Sequence, residues 1–236
     1  MSKLCHAIGR RQFVAGMVVG AAALAMPGTL RAQDLGGLLG LGTILGQATD
    51  NALDKLAQPN AFYDDEEIRI GLPMIGGSTG RSGGLLGGIF GAARDLGVLD
   101  GLIHTLNDAA GVAAGEAKPI FRDAINNLSF SDVPDIVRQD TGATQHLRRS
   151  SNDRLHARLN PLVDDALASL GAYDQLDRLA GDNSWLAAIG ISRANLNETV
   201  TDQGLDGIFH YIGREERDLR ANPLDAAGGL LDGFGF

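Results

Sequence analysis

Residues 200–223 read VTDQGLDGIFHYIGREERDLRANP. Leu205, Ile208, Phe209, Ile212 and Leu219 stand three, four and seven residues apart, which places them in one stripe of a helix and predicts a core-facing helix over residues 200–220. The charged run from Arg214 to Arg220 sets opposite charges three and four apart, Arg214 with Asp218 and Glu216 with Arg220. That is the pattern of a solvated helix end, so most of the run is expected to face water. Asn222 and Pro223 are suited to end this helix and cap the next. Asp206 lies beside the apolar stripe; if buried, its carboxylate needs a donor, and Arg148 is the candidate.

The same period extends upstream. Leu99, Leu102, Ile103, Leu106 and Ala110 predict a helix, and Ile120, Phe121, Ala124, Ile125 and Leu128 a continuation in which Pro119 marks a start or kink. Ser131 is a candidate N-cap with Pro134 in the following turn. Between Gly142 and Leu170 the apolar set Leu147, Leu155, Leu159, Leu162, Val163, Ala166, Leu167 and Leu170 is interrupted by Pro161, which predicts a kink or break near Asn160. Residues 50–57 (DNALDKLA) read as a short helix and 66–73 (EEIRIGLP) as a short extended piece ended by Pro73.

Two segments are rich in glycine, LGGLLGLGTILG at 35–46 and GGLLGGIFGAA at 83–93. Glycines at four-residue spacing, such as Gly83, Gly87 and Gly91, would form a flat helical strip, but each interior glycine costs a helix up to about 1 kcal/mol. Partly ordered segments are therefore expected, with residues 74–90 mobile and dispensable for folding. The fold class is all-α: a single irregular helical bundle with a glycine-rich N-terminal segment, organised as a leader over 1–32, a short helix, extended piece and mobile stretch over 33–95, and a helical core over 96–236.

The leader carries Lys3, Arg10 and Arg11 ahead of the apolar run Phe13 to Met26, with Ala32 at a cleavage position. Such a run is too short to span a bilayer, and Arg10-Arg11 followed by Gln12-Phe13 resembles a twin-arginine export signal. The formal charge of −9 over the 236 residues becomes −13 once the leader's four basic residues are removed. Nucleic acid is thereby excluded as a partner, since its phosphates demand basic residues. The single cysteine, Cys5, lies in the leader, leaving no thiolate for a disulfide or metal site. A periplasmic protein with no transmembrane span in its mature form is expected.

Catalytic signatures are weak. Gly76 to Gly80 (GGSTG) matches the G-x-S-x-G pattern around Ser78, but that pattern requires a strand, a sharp turn and an α/β sheet, and no succession of strands follows. The glycine-rich stretch GGSTGRSGG also lacks the lysine and spacing of a phosphate loop. His104, His146, His156 and His210 include no pair spaced to aim two rings at one metal, so they read as helix-surface or core-edge residues, and neither a metal site nor a cofactor site is expected. Asp202, Asp206, Glu215, Glu216 and Asp218 share one helix, yet no Glu-x-x-His partner accompanies them.

With these features in view, NETVTDQGLDGIFHYIGREERDLRANP at 197–223 resembles the C-terminal signature of a bacterial exported family catalogued as domain of unknown function 4197, whose members run Y-V-T, then a-L-D-G-L-F, then I-A-x-E-E-x-x-I-R-x-N-P. Thr201, Leu205, Asp206, Gly207, Phe209, Glu215, Glu216, Arg220, Asn222 and Pro223 match. LNDAAGVAAGEAKPIFRDAINNLSFSDVPDIV at 106–137 and TGATQHLRRSSNDRL at 141–155, with Ala143, Thr144 and Arg148 in register, are similar to further family segments, so the likeness covers residues 45–233. Gly111 stands where the family has glutamate and His146 where it has an aromatic residue. The resemblance implies an exported, mainly helical protein and supplies no reaction. Together with the residues above, it singles out one candidate polar cluster: Thr144, Arg148, Thr201, Asp206, Glu215 and Glu216. The expected function is non-catalytic, binding a partner protein or a small ligand of the cell envelope. The alternatives are a carboxylate-based enzyme centred on Asp206 and Glu216, or a membrane-surface protein using the glycine- and leucine-rich segments.

Overall fold

The computed structural model describes residues 32–72, 99–129, 136, 138–182 and 191–222. The expectations for the leader up to residue 31, for residues 74–90 with the GGSTG pattern, and for a helix start at Ser131 and Pro134 lie outside the described residues. Within them the fold is all-α, with no strand: α1 (Ala32–Leu56), α2 (Ala61–Asp64), α3 (Asp100–Glu116), α4 (Lys118–Asn126), α5 (Gly142–Ser169), α6 (Ala172–Asp182) and α7 (Arg193–Ala221). No helix among the described residues is long and apolar enough to cross a membrane.

The C-terminal helix α7 is the axis of the bundle, with α1, α5 and α3 packed around it. It begins earlier than its apolar stripe, because Ser192 accepts the Asn195 amide through Oγ at 3.2 Å and so fixes the N-terminus. Leu205, Ile208, Phe209, Ile212 and Leu219 are all buried, as their spacing requires. Gly207 serves close approach: a methyl there would lie 2.9 Å from the Phe62 ring and 3.3 Å from Ile68 Cβ, so its absence lets α2 and the chain after it settle onto the helix. The same stripe logic holds in α3, where Leu102, Ile103, Leu106 and Ala110 are buried, and Pro119 starts α4 in its first turn.

Three expectations are corrected. Residues 35–46 lie inside the 25-residue helix α1, to which the short helix expected at 50–57 belongs. The glycine penalty is outweighed by burial of Leu41, Leu45, Ala48, Ala52, Leu53 and Leu56 in the core shared with the later helices. A methyl on Gly40, Gly42 or Gly46 would meet nothing within 4 Å, so these glycines make no packing strip. Pro161 does not break the helix it interrupts. It sits with the exposed Ala157, four residues earlier, on the outer face of α5, while Leu155, Leu159 and Val163 hold the opposite face in the core. Leu170, placed with that apolar set, is exposed.

The third correction concerns the charged run. Arg214, Arg217 and Asp218 are exposed, but Glu215 and Glu216 are buried and Arg220 is half-buried. Tandem carboxylates on a helix point about 100° apart, so the two serve different neighbours. Glu215 reaches Lys55 of α1 at 2.5 Å, and Glu216 reaches the N-terminus of α5. The Glu216–Arg220 pair forms at 2.6 Å, whereas Arg214 pairs with Asp65 at 3.7 Å and not with Asp218.

The stretch 66–72 has no regular strand, yet side chains of other helices take up backbone hydrogen bonds at Ile70 and Gly71. The buried side chain of Asn107 accepts the Ile70 amide at 2.8 Å and donates to the Ile70 carbonyl at 3.0 Å, doing what a neighbouring strand would do. Gln203 of α7 accepts the Gly71 amide at 2.9 Å. Ile68 and Ile70 are buried, whereas Glu67 is exposed and Arg69 half-buried.

Candidate functional site

An open cleft of about 780 Å³ lies where the first turns of α5, the middle of α7 and the 67–69 stretch meet. Ligand sites commonly have this size. Its floor follows from helix geometry: Gln203, Asp206, His210, Arg214 and Arg217 are three and four residues apart on α7, forming a polar stripe beside the apolar one. Thr144, Gln145 and Arg148 project from α5, and Glu67 and Arg69 close the third side.

The α5 wall is fixed by Glu216, which is 0% exposed. Helix α5 starts at Gly142 with Thr141 as N-cap, yet Thr141 makes no capping bond through its side chain. Glu216 takes that role from another helix. It accepts the amides of Ala143 at 3.0 Å and Thr144 at 2.8 Å and the Thr144 hydroxyl at 2.6 Å, while Arg220 donates to it at 2.6 Å. The positive end of the helix and an arginine together balance the buried carboxylate. Gly142 makes the second constraint, since a methyl there would lie 2.1 Å from the Ile136 carbonyl oxygen.

Arg148 and Asp206 form an ion pair across the cleft mouth, with the guanidinium lying 5.4 Å from the Phe209 ring centroid. Asp206 is 63% exposed, so the pair is a surface contact and not the buried one considered from the sequence. At the far end, burial pushes the Asp65 carboxyl up, but the Glu67 amide, the Tyr211 hydroxyl and Arg214 together draw it below the usual 3.8, so it is anionic at neutral pH. Burial and that same Asp65 push the Tyr211 phenol up. His210 lies 3.2 Å from Glu67 on the rim.

The six residues of the sequence-derived cluster therefore separate. Thr144, Arg148 and Asp206 line the cleft, and Glu216 lies behind Thr144. Glu215 faces α1, and Thr201 sits in a different seam, donating to the Asn197 carbonyl at 2.8 Å. Glu215 and Glu216 do not form a carboxylate pair. The Thr144 hydroxyl donates to a carboxylate that already accepts three other donors, so both oxygens of Glu216 are committed to structural hydrogen bonds. Arg69, Gln203, His210, Arg214 and Arg217, which the sequence reading did not place in a site, also line the cleft; the three-and-four spacing of the α7 members was the available signal.

Chemically the cleft presents groups suited to anionic partners. Arg69, Arg148, Arg214 and Arg217 face it with Glu67 and Asp206, a cationic balance on a chain of net charge −9. Arg214 is shared with Asp65 and Arg148 with Asp206, while Arg217 has no ion-pair partner among the described residues. A guanidinium fork fits carboxylate and phosphate oxygens two at a time, and Thr144, Gln145 and Gln203 add neutral hydrogen-bonding groups.

No curated protein and no solved structure matches the chain. The family model described as "Protein of unknown function (DUF4197)" matches residues 35–234, and the chain belongs to that family.

Proposed function

We propose that the protein is an exported, non-catalytic binding protein of the cell envelope whose cleft takes a small anionic ligand bearing carboxylate or phosphate groups. The observation that carries this reading is the gathering of arginines in one cleft of an otherwise acidic chain, with Arg217 uncommitted among the described residues. The remaining acidic surface repels anions, so attraction is confined to the cleft. The carboxylate enzyme centred on Asp206 and Glu216 is disfavoured because Glu216 is committed to the α5 terminus and Asp206 to Arg148. Export rests on the leader's basic residues and apolar run; recovery of the chain in the cytoplasm on cell fractionation would overturn it.

Calorimetric titration of the mature chain with small di- and tricarboxylates, inorganic phosphate and pyrophosphate is expected to give saturable binding for at least one of them. Arg217→Ala, a change at an exposed position, should weaken that binding about tenfold or more, equivalent to about 1.4 kcal/mol. Absence of binding across the series, or binding indifferent to Arg217→Ala, would refute the reading.

A further inference from the structure

A second cluster lies away from the cleft, on the seam between α5 and α7. Glu198 and Asp202 are four residues apart on α7 and so share a face. His156 of α5 points between them, with Nε2 3.1 Å from Asp202 Oδ1 and 3.6 Å from Glu198 Oε1. We propose that His156, Glu198 and Asp202 form a binding site for a divalent transition-metal ion of the zinc class, bridging α5 and α7.

The geometry suits the ion. One ligand atom from each residue lies within 4.8 Å of the others. A tetrahedral zinc ion with bonds of about 2.0–2.2 Å holds its ligand atoms roughly 3.3–3.6 Å apart, so only small side-chain adjustments are needed. The imidazole nitrogen supplies an independent indication. His156 Nε2 is sealed from solvent and makes no hydrogen bond, although two carboxylates stand beside it. A sealed ring nitrogen that makes no hydrogen bond is costly, and a cation placed among the three atoms would satisfy it and offset both negative charges.

The other described histidines differ. His104 pairs with Asp108 alone, His210 with Glu67 alone, and His146 Nε2 lies 2.7 Å from the Ser129 carbonyl. Among the described residues, His156 is the histidine that stands with two carboxylates in one three-residue cluster. The helices are also pinned one turn away, where Asn197 donates to Asn160 Oδ1 at 3.0 Å, so the ligands are carried on a fixed seam. The donor set of one imidazole and two carboxylates suits zinc or a neighbouring divalent ion; it lacks the thiolates of a Cu(I) site and the many oxygens of a calcium site. Glu198 and Asp202 are 60% and 63% exposed, so water can complete the coordination.

The test is a Zn²⁺ titration of the full mature chain, freed of metal by a chelator and competed against a chromophoric indicator. One equivalent of tight binding is expected, and the ion should raise the Tm of the wild-type chain. His156→Gln should weaken the affinity at least about tenfold, because even residues behind a ligand commonly contribute that much. Asp202→Asn, at an exposed position, should do the same. Absence of stoichiometric binding, or equal affinity in the wild type and both variants, would show that His156 forms only an ion pair and would overturn the proposal.

Discussion

Glu216→Ala is expected to destabilise the protein by about 3–5 kcal/mol, the range for removing one partner of a buried, hydrogen-bonded charge pair. The loss is compound: Ala143 and Thr144 amides at the start of α5 and the half-buried Arg220 all lose their acceptor at once. Thr144→Val removes a single hydroxyl bond to the same carboxylate and should cost about 1 kcal/mol. Glu215→Ala should fall between them, because Glu215 is buried but its partner Lys55 is 59% exposed. That ranking replaces the expectation that most of the charged run is a solvated end. Urea denaturation of the three variants checks it; a Glu216→Ala protein as stable as the wild type would mean that water or another group caps α5 equally well.

Phe209→Ala is expected to cost about 3–5 kcal/mol, by lost burial and the cavity left behind. The ring is 3% exposed and meets Phe121 edge-to-face, with centroids 6.0 Å apart and planes at 69°. Its other contact reaches the cleft, since the Arg148 guanidinium rests over it. The variant should therefore show both a lower denaturation midpoint and weaker anion binding. A loss under about 1 kcal/mol would mean that the neighbours collapse into the space and that the ring is not a core anchor.

The helices were legible where apolar residues repeat at three and four, as in α3 and α7, because that period follows directly from the turn of the helix. What failed did so through tertiary effects. Local propensity argued against α1 at residues 35–46, but Leu41 and Leu45 gain more from the core than the glycines lose. Pro161 was read by its effect on an isolated helix, without knowledge that it would face water. Glu215 and Glu216 looked solvated because their partners, Lys55 and the start of α5, lie 160 and about 73 residues away in the chain. The Arg148–Asp206 pair was foreseen, though not its exposure. His156 with Glu198 and Asp202 was hidden for the same reason as the buried acids: the spacing of the two acids on α7 carries no sign of a histidine on α5.

Asp206→Asn separates a binding cleft from a catalytic one by the sign of a single change. Asp206 is exposed and neutralises Arg148, so the substitution should leave folding intact and release a guanidinium to the cleft. In the calorimetric titration of the variant against the anion that the wild type binds, the dissociation constant should fall, opposite in direction to the rise expected for Arg217→Ala. An unchanged or higher dissociation constant for Asp206→Asn would contradict the cleft as an anion receptor and return Asp206 to the centre of the site.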